Sequence, residues 1–253
     1  MRTSFLSTQK SLLSVRPLVV GTLLNHGNIH EQFKTASRAG IDLLELRLDT
    51  FPQAQGPFQK TYEFGRALIR DIKEKLQLPI LLTLRAHDER GPHSSRETLS
   101  DAHRAEILAR LLPSVDMVDV ELRHAPFAKR MTVVAHIHGV DVIHSAHNFK
   151  GVWSPAQLSR FCKASKKMNG DIFKVAVMPA SNHQLETFLG HARMLPCRYK
   201  TLIGMGKLGE PSRLFGFSFG SILTYGHLGR SAAPGQIPAH ELAAAVKNLY
   251  GRA

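Results

Sequence analysis

The chain has 253 residues, 43% of them hydrophobic and 21% charged, with 33 Lys+Arg against 20 Asp+Glu and a formal net charge of +13. That composition belongs to a packed domain and excludes disordered, collagen-like and coiled-coil chains; a chain of ~250 residues suits one α/β barrel as well as two smaller domains. No apolar stretch approaches the ~18 residues that a membrane-spanning helix needs.

Residues 1–16 carry Arg2, Lys10 and Arg16, and the first acidic residue of the chain is Glu31. Thr8, Gln9 and Lys10 interrupt any secretory apolar core. The segment reads as a basic N-terminal extension that frays, ahead of a catalytic domain over 17–253, with an organellar presequence as the alternative. Strands are predicted at Leu18–Leu23, Leu43–Leu48, Ile80–Arg85, Met117–Leu122, Val140–Ser145, Asp171–Val177, Thr201–Gly204 and Ser221–Thr224. Amphipathic stretches of helix length, such as Gln59–Leu76, Asp101–Leu112, Ala156–Met168 and Asn182–Met194, lie between them. The strands are near-continuous apolar runs, as parallel strands covered on both faces require. Eight β units spaced by about 29 residues predict a single-domain (β/α)8 TIM barrel.

Buried strands ordinarily avoid charge, and several here carry it. Glu45 and Arg47 lie two apart and share one strand face. Arg85 and Glu121 end two further strands, and Lys174 sits inside Ile-Phe-Lys-Val-Ala-Val. In a barrel such positions converge at the carboxyl ends of the strands. The alternative is a set of internal ion pairs, such as Glu45 with Arg85. Apolar neighbours and nearby cations favour a neutral Lys174 amine, a nucleophile toward carbonyls, unless the side chain snorkels out between helices.

His136, His138, His144 and His147 form a histidine-rich stretch with an H-x-H spacing. His136 and His138 precede the predicted strand and His147 follows it, so no metal site is expected. His138 beside Gly139 reads as a helix terminus, and His147 stands at the catalytic end, either as a loop histidine bonded to backbone or as a general base beside Lys174. Gly204-Met-Gly206-Lys-Leu-Gly209 matches G-x-G-x-x-G without the ribose-binding acid, since Glu241 is the next acidic residue after Glu210. The loop suits an anionic group, with Arg213 as a bidentate clamp. Ala233-Pro-Gly-Gln236 places an amide at the rim. Cys162 and Cys197 are isolated and build no disulfide framework or zinc site, which points to a reducing compartment. Arg160, Lys163, Lys166 and Lys167 share one helix face, a solvated surface by default or a phosphate-contacting ridge.

Taken in order, these residues resemble the type I 3-dehydroquinate dehydratases, the Schiff-base enzymes of the shikimate pathway. The match includes Glu45-Leu-Arg47-Leu-Asp49, Thr83-Leu-Arg85 with Glu89, Ser145-Ala-His147-Asn-Phe149, Lys174-Val-Ala-Val-Met-Pro179, Ser212-Arg213, Thr224-Tyr-Gly226 and Pro234-Gly-Gln236-Ile237. The resemblance implies an imine between Lys174 and the ketone of 3-dehydroquinate, His147 as general acid and base, and Glu89 as the carboxylate that orients it. It implies that Glu45, Arg47 and Arg85 bind the ring hydroxyls and balance charge, while Arg213 and Gln236 clamp the substrate carboxylate and close the site. It further implies no cofactor, a homodimer, and a cytoplasmic enzyme with a small-molecule substrate and neither membrane nor nucleic-acid partner. Four positions depart from the family pattern. Ala232 stands where serine is common, Arg90-Gly91 where a glycine pair is usual, and Ala146 where a tyrosine is usual; the small polar residue of strand one falls at Gly21 or Thr22. A class I aldolase on the same scaffold and a non-catalytic nucleic-acid-binding barrel are the competing readings.

Overall fold

The computed structural model describes residues 3–86 and 99–251. All eight predicted strands form: β1 Leu18–Leu23, β2 Leu43–Arg47, β3 Ile80–Thr83, β4 Met117–Glu121, β5 Asp141–Asn148, β6 Ile172–Val177, β7 Tyr199–Gly204 and β8 Leu223–His227. Their pairings are parallel, in the order β7-β6-β5-β4-β3-β2-β1-β8. A Lys200–Ser221 bridge between the β7 and β8 segments completes the circle. Around it lie α3 (Ile29–Arg38), α4 (Phe58–Leu76), α5 (Asp101–Leu111), α6 (Ala125–Ile137), α7 (Pro155–Lys167), α8 (Asn182–Arg193), the short α9 (Gly206–Gly209) and α10 (Pro211–Phe215), and α11 (Ala239–Tyr250). Side-chain caps start several of them: Asn28, Ser100, Ser154 and Ser181 accept backbone N–H bonds, and Ser154 with Gln157 forms a capping box. No helix among the described residues is long and apolar enough to cross a membrane.

Strand periodicity sorts the core into two shells. Outward residues such as Leu44, Leu46, Leu82, Val118, Val120 and Val142 pack under the helices. Inward residues Leu18, Val20, Leu43, Leu81, Met117, Ile143 and Ile172 fill the barrel. Two residues further along, the inward positions turn polar: Leu43 gives way to Glu45, Leu81 to Thr83, Met117 to Asp119, Ile143 to Ser145 and Ile172 to Lys174. The lower barrel is therefore a hydrophobic plug and the upper barrel a polar chamber.

Residues 5–13 do not fray. Helices α1 (Phe5–Thr8) and α2 (Lys10–Leu13) bury Phe5, Leu6 and Leu13 in the same cluster as Leu18, Leu223 and Ile172. Leu6 N–H donates to Asp141 Oδ2 at 2.8 Å, which seats the segment at the amino end of β5. Lys10, one of the basic residues that suggested a loose extension, sits between apolar ones that cover the barrel floor.

The cysteines also correct an expectation, for Cys162 and Cys197 are bonded to each other. Their separation is close to one β/α repeat, which sets α7 beside the segment entering β7. The basic residues Arg160, Lys163, Lys166 and Lys167 lie exposed on α7, whose Leu158 and Cys162 face inward.

Candidate active site

The carboxyl ends of the strands surround a cavity. Glu45, Arg47, Arg85, His147, Lys174, Arg213 and Gln236 all line it, so every expected site residue within the described segments meets in one place. Glu89, expected to orient His147, lies outside the described residues, as do Arg90 and Gly91.

Lys174 points inward from β6 and is 4% exposed. Its Nζ donates to Asp119 Oδ2 at 2.9 Å. Sequence reasoning missed Asp119; apolar neighbours and cations alone do not describe the lysine's surroundings. The signal was present, because Asp119 lies two residues before Glu121 and so shares its strand face. Arg85 reaches Asp119 Oδ1 at 2.8 Å and Oδ2 at 3.2 Å, and Ser145 Oγ donates to Oδ1 at 2.5 Å. Burial pushes the Asp119 carboxyl up, but Arg85, Lys174 and His147 outweigh it and hold it well below the usual carboxylate range. Asp119 is thus a fixed anion between two cations.

Arg85 therefore pairs with Asp119 and, at 3.5 Å, with Glu121, not with Glu45. Glu45 accepts instead from Thr83 Oγ1 at 2.9 Å and Thr22 Oγ1 at 3.0 Å. Glu121 turns away from the cavity to Arg104 Nη2, 2.5 Å away, and to Ala86 N–H. Arg47 forms a forked pair with the buried Asp49, both bonds at 2.9 Å.

β5 extends to Asn148, so His147 lies on the strand and not after it, and pairs in register with Ala176 beside Lys174. Its ring stacks near Phe149, with centroids 6.3 Å apart. Burial pushes the imidazole well below its ordinary pKa, and the charges of Arg85 and Lys174 push the same way. A neutral imidazole is the form that accepts a proton. His136 and His138 stay at the other end: His136 bonds Asp171 at 2.9 Å, and His138 ends α6. No group of metal-ligating side chains occurs among the described residues.

The opposite rim comes from β8, α10 and the loops. Arg213 is 4% exposed and donates to Tyr225 O and Pro234 O. Burial lowers its guanidinium to about 10, against the pull of Glu210, so it remains a cation. Gln236 Nε2 donates to Thr22 Oγ1 at 3.1 Å, while its Oε1 accepts from Ala232 N–H at 2.6 Å. Thr22 is thus the polar residue of β1 in the cavity; a Cβ on Gly21 would meet Ile41 at 2.6 Å on the outer face. The glycines of the G-x-G-x-x-G match serve packing, since a Cβ on Gly209 would lie 2.2 Å from the Gly204 carbonyl carbon.

Charge collected around a central lysine at the mouth of a (β/α)8 barrel makes a site suited to a polar small molecule, the mark of a barrel enzyme. Residues 18–252 match the family model of the type I 3-dehydroquinase, and the chain belongs to that family, a family of hydro-lyases. The 3-dehydroquinate dehydratase of Aquifex aeolicus (strain VF5) is 30% identical, the match covering 92% of this chain and 99% of the relative. That of Thermodesulfovibrio yellowstonii is 32% identical, with 78% and 81% covered. Among solved structures, the 3-dehydroquinate dehydratase from Geobacillus kaustophilus HTA426 superposes with a TM-score of 0.82 at 25% identity, over 94% of this chain and 92% of that one.

Proposed function

We propose that the protein dehydrates 3-dehydroquinate to 3-dehydroshikimate through an imine on Lys174. The observation that carries this reading is the cavity shared by Lys174, Arg85 and His147, with Asp119 bonded to the lysine and the arginine beneath it. The Lys174 amine, once deprotonated, attacks the C3 ketone; the carbinolamine loses water and leaves a protonated imine. That cation draws electrons from C2, and neutral His147 removes a C2 proton to give an enamine. The enamine expels the C1 hydroxyl, which takes the proton from the His147 imidazolium and departs as water. Water then hydrolyses the conjugated imine, releasing 3-dehydroshikimate and the free amine, so that one water is lost in the net reaction.

Asp119 holds the ammonium in place beforehand and faces the iminium afterwards, an anion set where positive charge persists. Glu89 is assigned to orient His147. Glu45, Arg47 and Arg85 are assigned to the ring hydroxyls and charge balance, and Arg213 with Gln236 to the substrate carboxylate and site closure. A homodimer in the cytoplasm completes the reading; the cytoplasmic placement rests on family resemblance alone, because the two cysteines are bonded.

Borohydride reduction with and without 3-dehydroquinate, followed by peptide mass spectrometry, tests the proposal. A substrate-dependent adduct on Lys174 is expected, with turnover falling about 10⁴-fold or more in Lys174→Ala. Turnover of 3-dehydroquinate without any adduct, or one that survives Lys174→Ala, removes the imine from the mechanism.

A further inference from the structure

Four buried side-chain atoms among the described residues lack a hydrogen-bond partner: Thr201 Oγ1, Arg213 Nε, Tyr225 OH and His227 Nδ1. Of these residues, Arg213 and Tyr225 line the cavity. Arg213 is already assigned to the substrate carboxylate; Tyr225 has no assigned part.

β8 places Tyr225 in register with Val20, and its ring joins the inward cluster. The Lys174 Nζ stands 4.3 Å from the ring centroid, within the range of a cation–π contact. The residue is 4% exposed. Its hydroxyl is therefore shut away from bulk solvent, without a partner, on a ring that faces the reacting nitrogen.

A buried unpaired hydroxyl is destabilising, and replacing it with a ring of the same shape removes the penalty. Phenylalanine would keep the packing and the contact with Lys174. Unpaired buried groups of this kind concentrate where a ligand completes them.

We propose that the Tyr225 hydroxyl is a substrate-contacting group, hydrogen-bonding an oxygen next to the carbon that Lys174 attacks while the ring faces the Lys174 cation. The inference rests on the imine reading of Lys174. The ligand chemistry that fits is a ring ketone flanked by a hydroxyl, which the C4 hydroxyl beside the C3 ketone of 3-dehydroquinate supplies. Burial, reinforced by the charges of Glu45 and Asp119, pushes the phenol well above its ordinary pKa, so it stays protonated and able to donate. A site built to meet a substrate hydroxyl also discriminates against ketones that lack it.

Tyr225→Phe removes one oxygen and leaves the ring. The expected result is a fall of about tenfold in kcat/KM for 3-dehydroquinate, equivalent to ~1.4 kcal/mol, with an unchanged or higher thermal midpoint. A tyrosine without a substrate contact gives the same thermal behaviour but a kcat/KM within twofold of wild type, and that result overturns the proposal. Borohydride trapping on both proteins separates the two levels of the argument. If the wild type forms no Lys174 adduct, the imine reading fails and takes this inference with it. If both proteins form the adduct and turn over equally, the Tyr225 assignment alone is lost.

Discussion

The two walls of the upper barrel do different work. From β2 to β6 the inward side chains are Glu45, Arg47, Thr83, Arg85, Asp119, Ser145, His147 and Lys174; from β7 through β8 to β1, Ile203, Met205 and Tyr225 dominate, with Thr201 and Thr22 as the polar exceptions. The polar wall is a bonded network: Asp119 alone receives Arg85, Ser145 and Lys174. Such a network is costly to bury and costly to interrupt, so its members hold their positions. The apolar wall excludes water and strengthens the electrostatics across the cavity. One wall supplies the reacting groups and the other the medium in which they act.

Removing the centre of the polar wall should have the largest effect. Asp119→Ala leaves Arg85 and Lys174 facing each other without their shared anion, and a loss of ~3–5 kcal/mol is expected in denaturant unfolding. A loss below ~1 kcal/mol would mean that Glu121 and water neutralise Arg85 unaided, and the network picture would fail. The next effect concerns pH. Because His147 is held neutral to well below its ordinary pKa, kcat/KM should stay level as the pH falls through ~6.5 and decline only at clearly more acid values. An acid limb centred at or above ~6.5 would show that Glu89 reverses the influence of burial, Arg85 and Lys174 on the free enzyme. The smallest effect should come from the seam between the walls. Thr22→Val removes the hydroxyl joining Glu45 to Gln236, at a cost of ~1 kcal/mol and a few-fold rise in KM. Thr22→Ser should restore both; a serine variant that behaves like valine would point to lost packing instead.

Much of this arrangement was legible in the sequence because it follows strand parity. Charges at Glu45, Arg47, Arg85 and Lys174 interrupt apolar runs at positions that converge, and the repeat spacing closes the barrel. What escaped depended on partners distant in sequence. Asp119 was overshadowed by Glu121 on the same strand, and only the structure separates the acid that faces Lys174 from the one that anchors Arg104. Lys200, another strand lysine, pairs in register with Phe173 and so shares its outward face; its Nζ meets the carbonyls of Ala192, Arg193 and Leu195 at the end of α8. One step of register separates a candidate nucleophile from a helix cap. The Cys162–Cys197 bond joins neighbouring repeats, while the seating of Phe5, Leu6 and Leu13 joins segments whose nearness only the closed circle creates.

The seating of those first helices also bears on the order of assembly. The bond from Leu6 to Asp141 spans 135 positions, and the cluster around Phe5 and Leu6 includes Leu223 and Tyr225. The segment ahead of β1 must therefore wait for the last strand before its resting place is whole. Contacts of such separation form late because the intervening loop must first close. The barrel is laid down strand by strand but finished where it began, and the segment ahead of β1 becomes the stopper fitted last.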